Sequence, residues 1–399
     1  MISEIFALQN PWRTNPNFSF HLKEREVFDI VKTNLDNELI IGLIGSRQVG
    51  KSSILYLLIK HLLNNDVSPN QIFYFNLDDL KLHELFTSVP GFLQFTGKTD
   101  NRKYVFIDEI QRLNSPGLFL KELFDLKLDV KIIYSGSSQL EIKSKIREHL
   151  VGRARVLKIN RLSFNEYLDF AAPVSKKDAL AEILIYGSYP AVAKEKSVLE
   201  KKLRLRDIFQ SYIQKDLIDF LKIDNVEGFN KFLIFIANQT ADLLNIHSLS
   251  KSLAVQRNEI EKYINILEYT FVCNRVYPFY KNYSKEITKT PKIYFLDSGL
   301  RNFILNRFEP IELRTDIGKL FENFVYTEML CADFYSLNRI HYWRTTNQTE
   351  IDFIVESDEG TKAIEVKWDN PRTPKSFQTL EQYYPEIKAE VVTRDNFID

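Results

Sequence analysis

Short apolar runs alternate with charged and polar segments along most of the chain. ELIIGLIG (38–45) ends on a glycine and predicts a buried strand. KSSILYLLIKHLLN (51–64) has apolar residues at helical spacing. QIFYFNLDD (71–79), KYVFIDE (103–109), VKIIYSGSS (130–138) and RARVLKI (153–159) predict four further strands, with helical stretches between them. Strands alternating with helices imply a doubly wound parallel sheet. From 161 to about 225 the pattern turns helical and charged. Residues 231–300 then read as three helices and a hairpin. The helix-turn-helix candidate is 246–269, and the hairpin is FVCNRVYPFY with PKIYFLD. That is the element order of a winged helix. The last segment predicts a helix over 317–335, strands at IHYWRTT, EIDFIVE and TKAIEVKW, a helix near 376–384 and a strand AEVVT. The expected division is therefore 1–160, 161–228, 229–300 and 301–399.

At 399 residues the chain is long enough for two to four domains. Hydrophobic residues at 44% and charged residues at 27% fit an ordinary globular protein. Lys+Arg and Asp+Glu are each 53, so charge cancels, which argues against a surface coated with basic charge for non-specific nucleic-acid binding. The two cysteines, Cys273 and Cys331, lie far apart and form no metal-ligand spacing. The start lacks a basic segment followed by an apolar run, so no signal peptide is expected. No run of 18 apolar residues predicts a membrane span, and a cytoplasmic location is the default expectation.

Two constellations carry chemistry. GSRQVGKSS (45–53) satisfies GxxxxGK[ST] and sits between a strand and a helix. Gly45 and Gly50 let the loop fold tightly, so that backbone N–H groups of Ser46, Arg47, Gln48, Val49, Lys51, Ser52 and Ser53 line a phosphate cradle. Lys51 supplies charge to the phosphates, and the Ser52 hydroxyl suits Mg²⁺. Asp108 and Glu109 end the strand YVFIDE, where Asp108 would serve Mg²⁺ and Glu109 would act as general base. Ser135 ends the fourth strand, in position to sense the γ-phosphate. Arg153 is the first candidate for a cation on that phosphate, with Arg155 and Arg147 as others; each is also readable as a surface arginine.

The second constellation is Asp352, Glu365 and Lys367. Glu365 and Lys367 share a strand face, and a hairpin would bring Asp352 beside them. Asp352 and Glu365 are candidate metal ligands, Lys367 a candidate for activating water, and Glu322 a further ligand or orienter. Alternating charge on a half-solvated strand produces the same string. In the hairpin, Lys281, Lys285, Lys289 and Lys292 interleave with Tyr277, Tyr280, Tyr283 and Tyr294, a combination suited to nucleic acid. The candidate recognition helix carries Glu259, Glu261 and Glu268, which is poor for groove reading. His247 and His341 lack partner ligands in sequence and read as structural or surface residues.

With these residues placed, the chain resembles a widespread family of bacterial and archaeal AAA-type ATPases with a C-terminal restriction-endonuclease-like domain. The resemblance runs from about Phe20 to Val392. Its carriers are GSRQVGKSS, YVFIDEIQRL, IIYSGSS, VGR, LSFNEY, YGSYPAV, KIYFLDSGL, GKLFENFVYTE, YWRTTNQTEIDF and AIEVKW. It implies an AAA+-like parallel sheet, a helical segment, a winged helix and a PD-(D/E)XK-like α/β domain. It implies ATP and Mg²⁺ as cofactors, and nucleic acid (DNA) or a protein as partner, with no membrane. The chain departs from the pattern at Arg161, where proline is usual, and at Ile351, before Asp352. The alternative it leaves open is a nucleotide-dependent switch whose last domain only binds a partner. A plain helicase is disfavoured, because no second motor-type domain is visible.

Overall fold

The structure is a computed structural model. It describes residues 2–15, 18–97, 101–137, 148–211, 223, 225–280, 289–369, 372 and 374–399. The chain divides into two compact units, Met1–Asn160 and Arg161–Asp399. The second unit joins the three segments expected at 161–228, 229–300 and 301–399.

The amino-terminal unit is built on five strands: β1 (Ile40–Ile44), β2 (Ile72–Asn76), β3 (Lys103–Asp108), β4 (Val130–Gly136) and β5 (Ala154–Lys158). All neighbours are parallel, in the order β2-β3-β4-β1-β5. Parallel strands covered on both faces need apolar side chains on both faces, and Ile40, Ile41 and Leu43 are all buried. β4 lies in space between the phosphate-loop strand β1 and the acidic strand β3. Its last residues therefore stand between the loop and the acids. The helix Lys51–Asn64 buries Ile54, Leu55, Leu58 and Leu62, the helical-spacing set seen in the sequence. A core of Phe73, Phe75, Phe86, Phe92, Phe119 and neighbouring aliphatics fills one side of the sheet.

In the carboxyl-terminal unit the helices Val226–Asn238, Ile246–Leu253 and Arg257–Tyr269 precede a two-stranded hairpin, β6 (Cys273–Val276) and β7 (Lys292–Phe295). A four-stranded sheet follows, ordered β11-β10-β9-β8: β8 (Arg339–Arg344), β9 (Glu350–Ser357), β10 (Gly360–Lys367) and β11 (Lys388–Thr393). β8, β9 and β10 are antiparallel, and β10 and β11 run parallel around the helix Lys375–Tyr383. Among the described residues no helix is long and apolar enough to cross a membrane.

The hairpin does not stand apart as the sequence suggested. After β6 the chain runs along β8: Phe279 N–H donates to Tyr342 O at 2.6 Å, and Tyr342 N–H donates to Tyr277 O at 3.2 Å. On the other side, Asn323 from the helix Ile317–Ala332 accepts from Phe295 N–H and donates to Phe295 O, both at 2.8 Å. Its side-chain amide thus acts as a neighbouring strand for β7. Lys292 and Tyr294, read as nucleic-acid contacts, are buried, at 3% and 0% exposure. Lys292 is engaged by Glu322 and Glu350, and the Tyr294 hydroxyl by Glu322, inside the unit, so both leave the wing contacts. Lys289 is exposed, whereas Lys281, Lys285 and Tyr283 lie outside the described residues. Arg275 takes up two of the acids of the helix Arg257–Tyr269, pairing with Glu268 at 2.6 Å and Glu261 at 3.0 Å. Cys273 and Cys331 are buried thiols, and neither is in a disulfide.

Candidate nucleotide site and carboxyl-terminal charge cluster

The loop between β1 and the helix Lys51–Asn64 has two positions that need glycine. A Cβ on Gly45 would stand 2.1 Å from the Ile159 carbonyl oxygen, a backbone atom that cannot move aside. Gly50 has φ +97°, a left-handed conformation that side chains resist. Lys51 is buried, and its ammonium donates to Gly45 O at 3.1 Å and Ser46 O at 2.8 Å. Burial lowers its pKa, and the charges of Glu109 and Asp108 oppose that shift. Arg25, which the sequence did not single out, ties the loop down. Its guanidinium donates to Val49 O at 2.7 Å and to Asn160 O at 3.1 Å.

The acidic pair sits across β4. Ser135 Oγ donates to Asp108 Oδ1 and accepts the Glu109 N–H at 3.1 Å. Tyr74 O–H donates to Asp108 Oδ2 at 2.8 Å. Glu109 adopts a left-handed conformation, φ 57°, uncommon outside glycine and frequent at functional sites. Its carboxylate accepts from Ser137 Oγ at 3.1 Å and from Gln111, whose amide also reaches Ser137 at 2.9 Å. Ser135 therefore bridges the two acids directly, a tighter connection than the phosphate-sensing role read from its position. Ser52 and Asp108 supply hard oxygen donors of the kind Mg²⁺ takes, with each Asp108 oxygen already oriented by a hydroxyl. The residues fit the ion, which when bound would offset phosphate charge.

Arg153 does not join this site within the chain. Ala154 lies opposite Ile40, and Lys158 opposite Ile44, next to the phosphate loop. Arg153 thus directly precedes β5 at its far end, five residues before Lys158 or about 16 Å away. Its guanidinium pairs with Asp125 at 2.8 and 3.2 Å. Arg155, which does lie on β5, bonds Asn34, and Arg147 lies outside the described residues. Position after the fourth strand was the signal, but in a parallel sheet a strand's first residue faces away from the ligand edge.

Tyr74 is a second residue, after Arg25, that sequence reading missed here. Burial, then the Asp108 charge, raises its pKa, so the phenol stays a donor. Its ring packs 4.9 Å from that of Tyr56 and 6.4 Å from that of Trp12. Its backbone is clamped by Asn10, which accepts from Tyr74 N–H and donates to Tyr74 O, both at 2.8 Å. Tyr74→Phe keeps the ring and removes one donor from Asp108. We expect turnover to fall by about tenfold, the scale of one hydrogen bond to a charged group, and the Mg²⁺ concentration for half-maximal rate to rise. A Mg²⁺ titration of steady-state turnover checks this; an unchanged midpoint would separate Tyr74 from Asp108's role.

In the carboxyl-terminal unit the structure does bring Asp352, Glu365 and Lys367 together. Asp352 Oδ2 accepts the Val366 N–H at 2.8 Å, and Lys367 donates to Glu365 Oε1 at 2.6 Å. Glu365 Oε2 is buried without a hydrogen-bond partner. Glu322 lies beside them, accepting from Tyr294 O–H at 2.6 Å. The unexpected member is Lys292. Its ammonium is 2.7 Å from Glu350, 3.0 Å from Glu322 and 3.8 Å from Asp352. Burial raises the pKa of Glu322 and Asp352, and Lys292 offsets part of each shift. Burial lowers that of Lys292, and the carboxylates around it more than reverse the change. Among the described residues no group of three or more His, Cys, Asp or Glu is arranged to hold a metal ion. Glu322 and Glu350 are committed to an ammonium, so the set does not fit the metal centre that the sequence pattern implied. His247 lies against Arg257, and His341 against Glu356 at 3.2 Å, both consistent with structural roles.

Three stretches of the chain match known families. Residues 37–168 match a family described as an AAA domain. Residues 177–310 and 317–397 match two families described as domains of unknown function, DUF8612 and DUF4143. A protein of Haemophilus influenzae described as uncharacterized is 24% identical over 378 residues, covering 90% of each chain. An uncharacterized protein of Methanocaldococcus jannaschii is 24% identical over 351 residues, 77% of this chain and 73% of its own. Among solved structures, AMPPCP-bound DnaA from Aquifex aeolicus is similar at 15% identity and a TM-score of 0.32, over 65% of this chain and 92% of that one. A signal-transduction ATPase with numerous domains from Pyrococcus horikoshii is similar at 10% identity and a TM-score of 0.29, over 79% and 46%. The amino-terminal unit carries an AAA-type ATPase domain, on its family match and on the loop and acids described above.

Proposed function

We propose that this protein is a Mg²⁺-dependent ATPase whose nucleotide cycle controls partner binding by a carboxyl-terminal unit that does not cleave nucleic acid. The hydrolytic half rests on one arrangement. A glycine-shaped phosphate loop ends β1, and Asp108 and Glu109 end β3, with Ser135 of β4 bonded to both acids. In open parallel sheets ligands bind at that edge. Glu109 is the base that takes the proton of the attacking water, and Lys51 with the loop N–H groups receives the phosphate charge. Ser52 and Asp108 would hold Mg²⁺.

The binding half rests on Lys292, whose ammonium stands among Glu322, Glu350 and Asp352, where metal-assisted phosphodiester hydrolysis would need the cation. A nuclease reading has one observation in its favour, the convergence of Asp352, Glu365 and Lys367 with Glu365 Oε2 left without a donor. The test incubates the full chain with single-stranded, duplex and branched DNA, with Mg²⁺ or Mn²⁺, and with or without ATP. We expect ATP turnover and intact DNA. Cleavage that disappears in Asp352→Ala would replace this reading with the nuclease one.

A further inference from the structure

We infer that Lys292 is the built-in cation of the carboxyl-terminal carboxylate cluster and keeps that cluster closed to divalent metal. The inference deepens the binding-unit reading above and rests on it. The geometry comes first. Lys292 opens β7, Glu322 projects from the helix Ile317–Ala332, and Glu350 and Asp352 lie two apart on β9. Alternation along a strand puts 350 and 352 on one face, and likewise 292 and 294. Two separate elements, the helix and β9, thus converge on an ammonium supplied by a third. Lysine offers three N–H donors and no acceptor. Two are met by Glu350 and Glu322 at hydrogen-bond distance, and Asp352 faces the same charge at 3.8 Å. The Tyr342 ring lies 5.8 Å away. The separations of 2.7 and 3.0 Å are those of N–H···O contacts, longer than the roughly 2.1 Å of Mg²⁺–oxygen bonds.

Charge counting points the same way. Among the described residues, the groups facing the cluster are four carboxylates, Glu322, Glu350, Asp352 and Glu365, and three cations, Lys292, Lys367 and Arg344. Tyr294 adds a hydroxyl donor to Glu322. The balance is one negative charge, which a single proton removes. Burial already raises the pKa of both Asp352 and Glu322. A divalent ion added beside the ammonium would leave the set net positive; to enter without that excess it would have to displace the ammonium. Take away the Lys292 charge and the deficit becomes two, the charge of one divalent ion. Lys292 is also reached directly from the hairpin, so the cluster's cation is supplied by an element outside the four-stranded sheet.

The experiment counts Mn²⁺ bound to the full, nucleotide-free chain by electron paramagnetic resonance. Four proteins are compared: wild type, Asp352→Asn, Lys292→Met and the double variant. We expect wild type and Asp352→Asn to bind equal amounts, because the cluster takes no metal. Lys292→Met should bind one additional Mn²⁺, which the double variant loses. An extra Mn²⁺ in wild type over Asp352→Asn would overturn the inference, as would a folded Lys292→Met with no gain. Removing a buried partner often unfolds a protein, so circular dichroism accompanies each variant. If Lys292→Met does not fold, the wild-type comparison with Asp352→Asn still decides. Metal bound by wild type without DNA cleavage would refute the lysine inference and leave the binding-unit reading standing; cleavage would refute both.

Discussion

Replacing Lys51 by alanine should weaken nucleotide binding by roughly a hundredfold. The ammonium is the main positive charge in the loop, and it is buried at the sheet edge where phosphates would lie. Truncating one partner of a buried charge pair costs about 3 kcal/mol, roughly a hundredfold in Kd. The same group also closes the loop on Gly45 O and Ser46 O, so some loss of stability accompanies the substitution. Titration with a fluorescent ATP analogue, beside a thermal melt, separates the two effects. An affinity within threefold of wild type in a folded variant would show that Lys51 serves the loop alone.

Glu109→Gln should bind ATP as wild type does and turn it over about a hundred to ten thousand times more slowly. That range is what a positioned base contributes. Glutamine has nearly the same shape, so the left-handed backbone and the Ser135 contact to Glu109 N–H remain. The Ser137 hydroxyl still finds an acceptor oxygen. Only the capacity to take a proton is lost. Phosphate release in single turnover, at saturating ATP, measures the effect without interference from affinity. Rates equal to wild type would take Glu109 out of the base role and direct attention to other groups at the ends of β3 and β4.

Much of the amino-terminal unit was legible because its signals are local. Burial on both faces makes each strand an apolar run, and all five appeared within a few residues of their place. The phosphate loop is a contiguous string whose backbone geometry follows from its glycines. Tyr74 and Arg25 gave no such signal. A tyrosine in an apolar strand reads as core, and only the pairing of β2 with β3 sets its hydroxyl on Asp108. Arg153's place away from the loop within the chain was hidden for the converse reason. Its motif was plain, but the direction of β5 in the sheet, which decides the end it occupies, is not written locally. In the carboxyl-terminal unit, the alternation of Glu350 with Asp352 and of Lys292 with Tyr294 was visible, yet nothing in the string says that those faces meet.

What the sequence by itself determined is therefore the set of short-range features: strand and helix order, the loop at 45–53, the acids that end β3, and the shared face of Glu365 and Lys367. Periodicity and backbone chemistry act over a few residues, so a string of letters carries them whole. Tertiary structure alone decided which charges pair across long separations. It put Lys292 against Glu322, Glu350 and Asp352, set Ser135 between the loop and the acids, and joined the segment after β6 to β8. The physical reason is desolvation. A buried charge must find a partner wherever the fold supplies one, and Coulomb attraction in a low-dielectric interior depends on distance in space, to which separation along the chain is irrelevant.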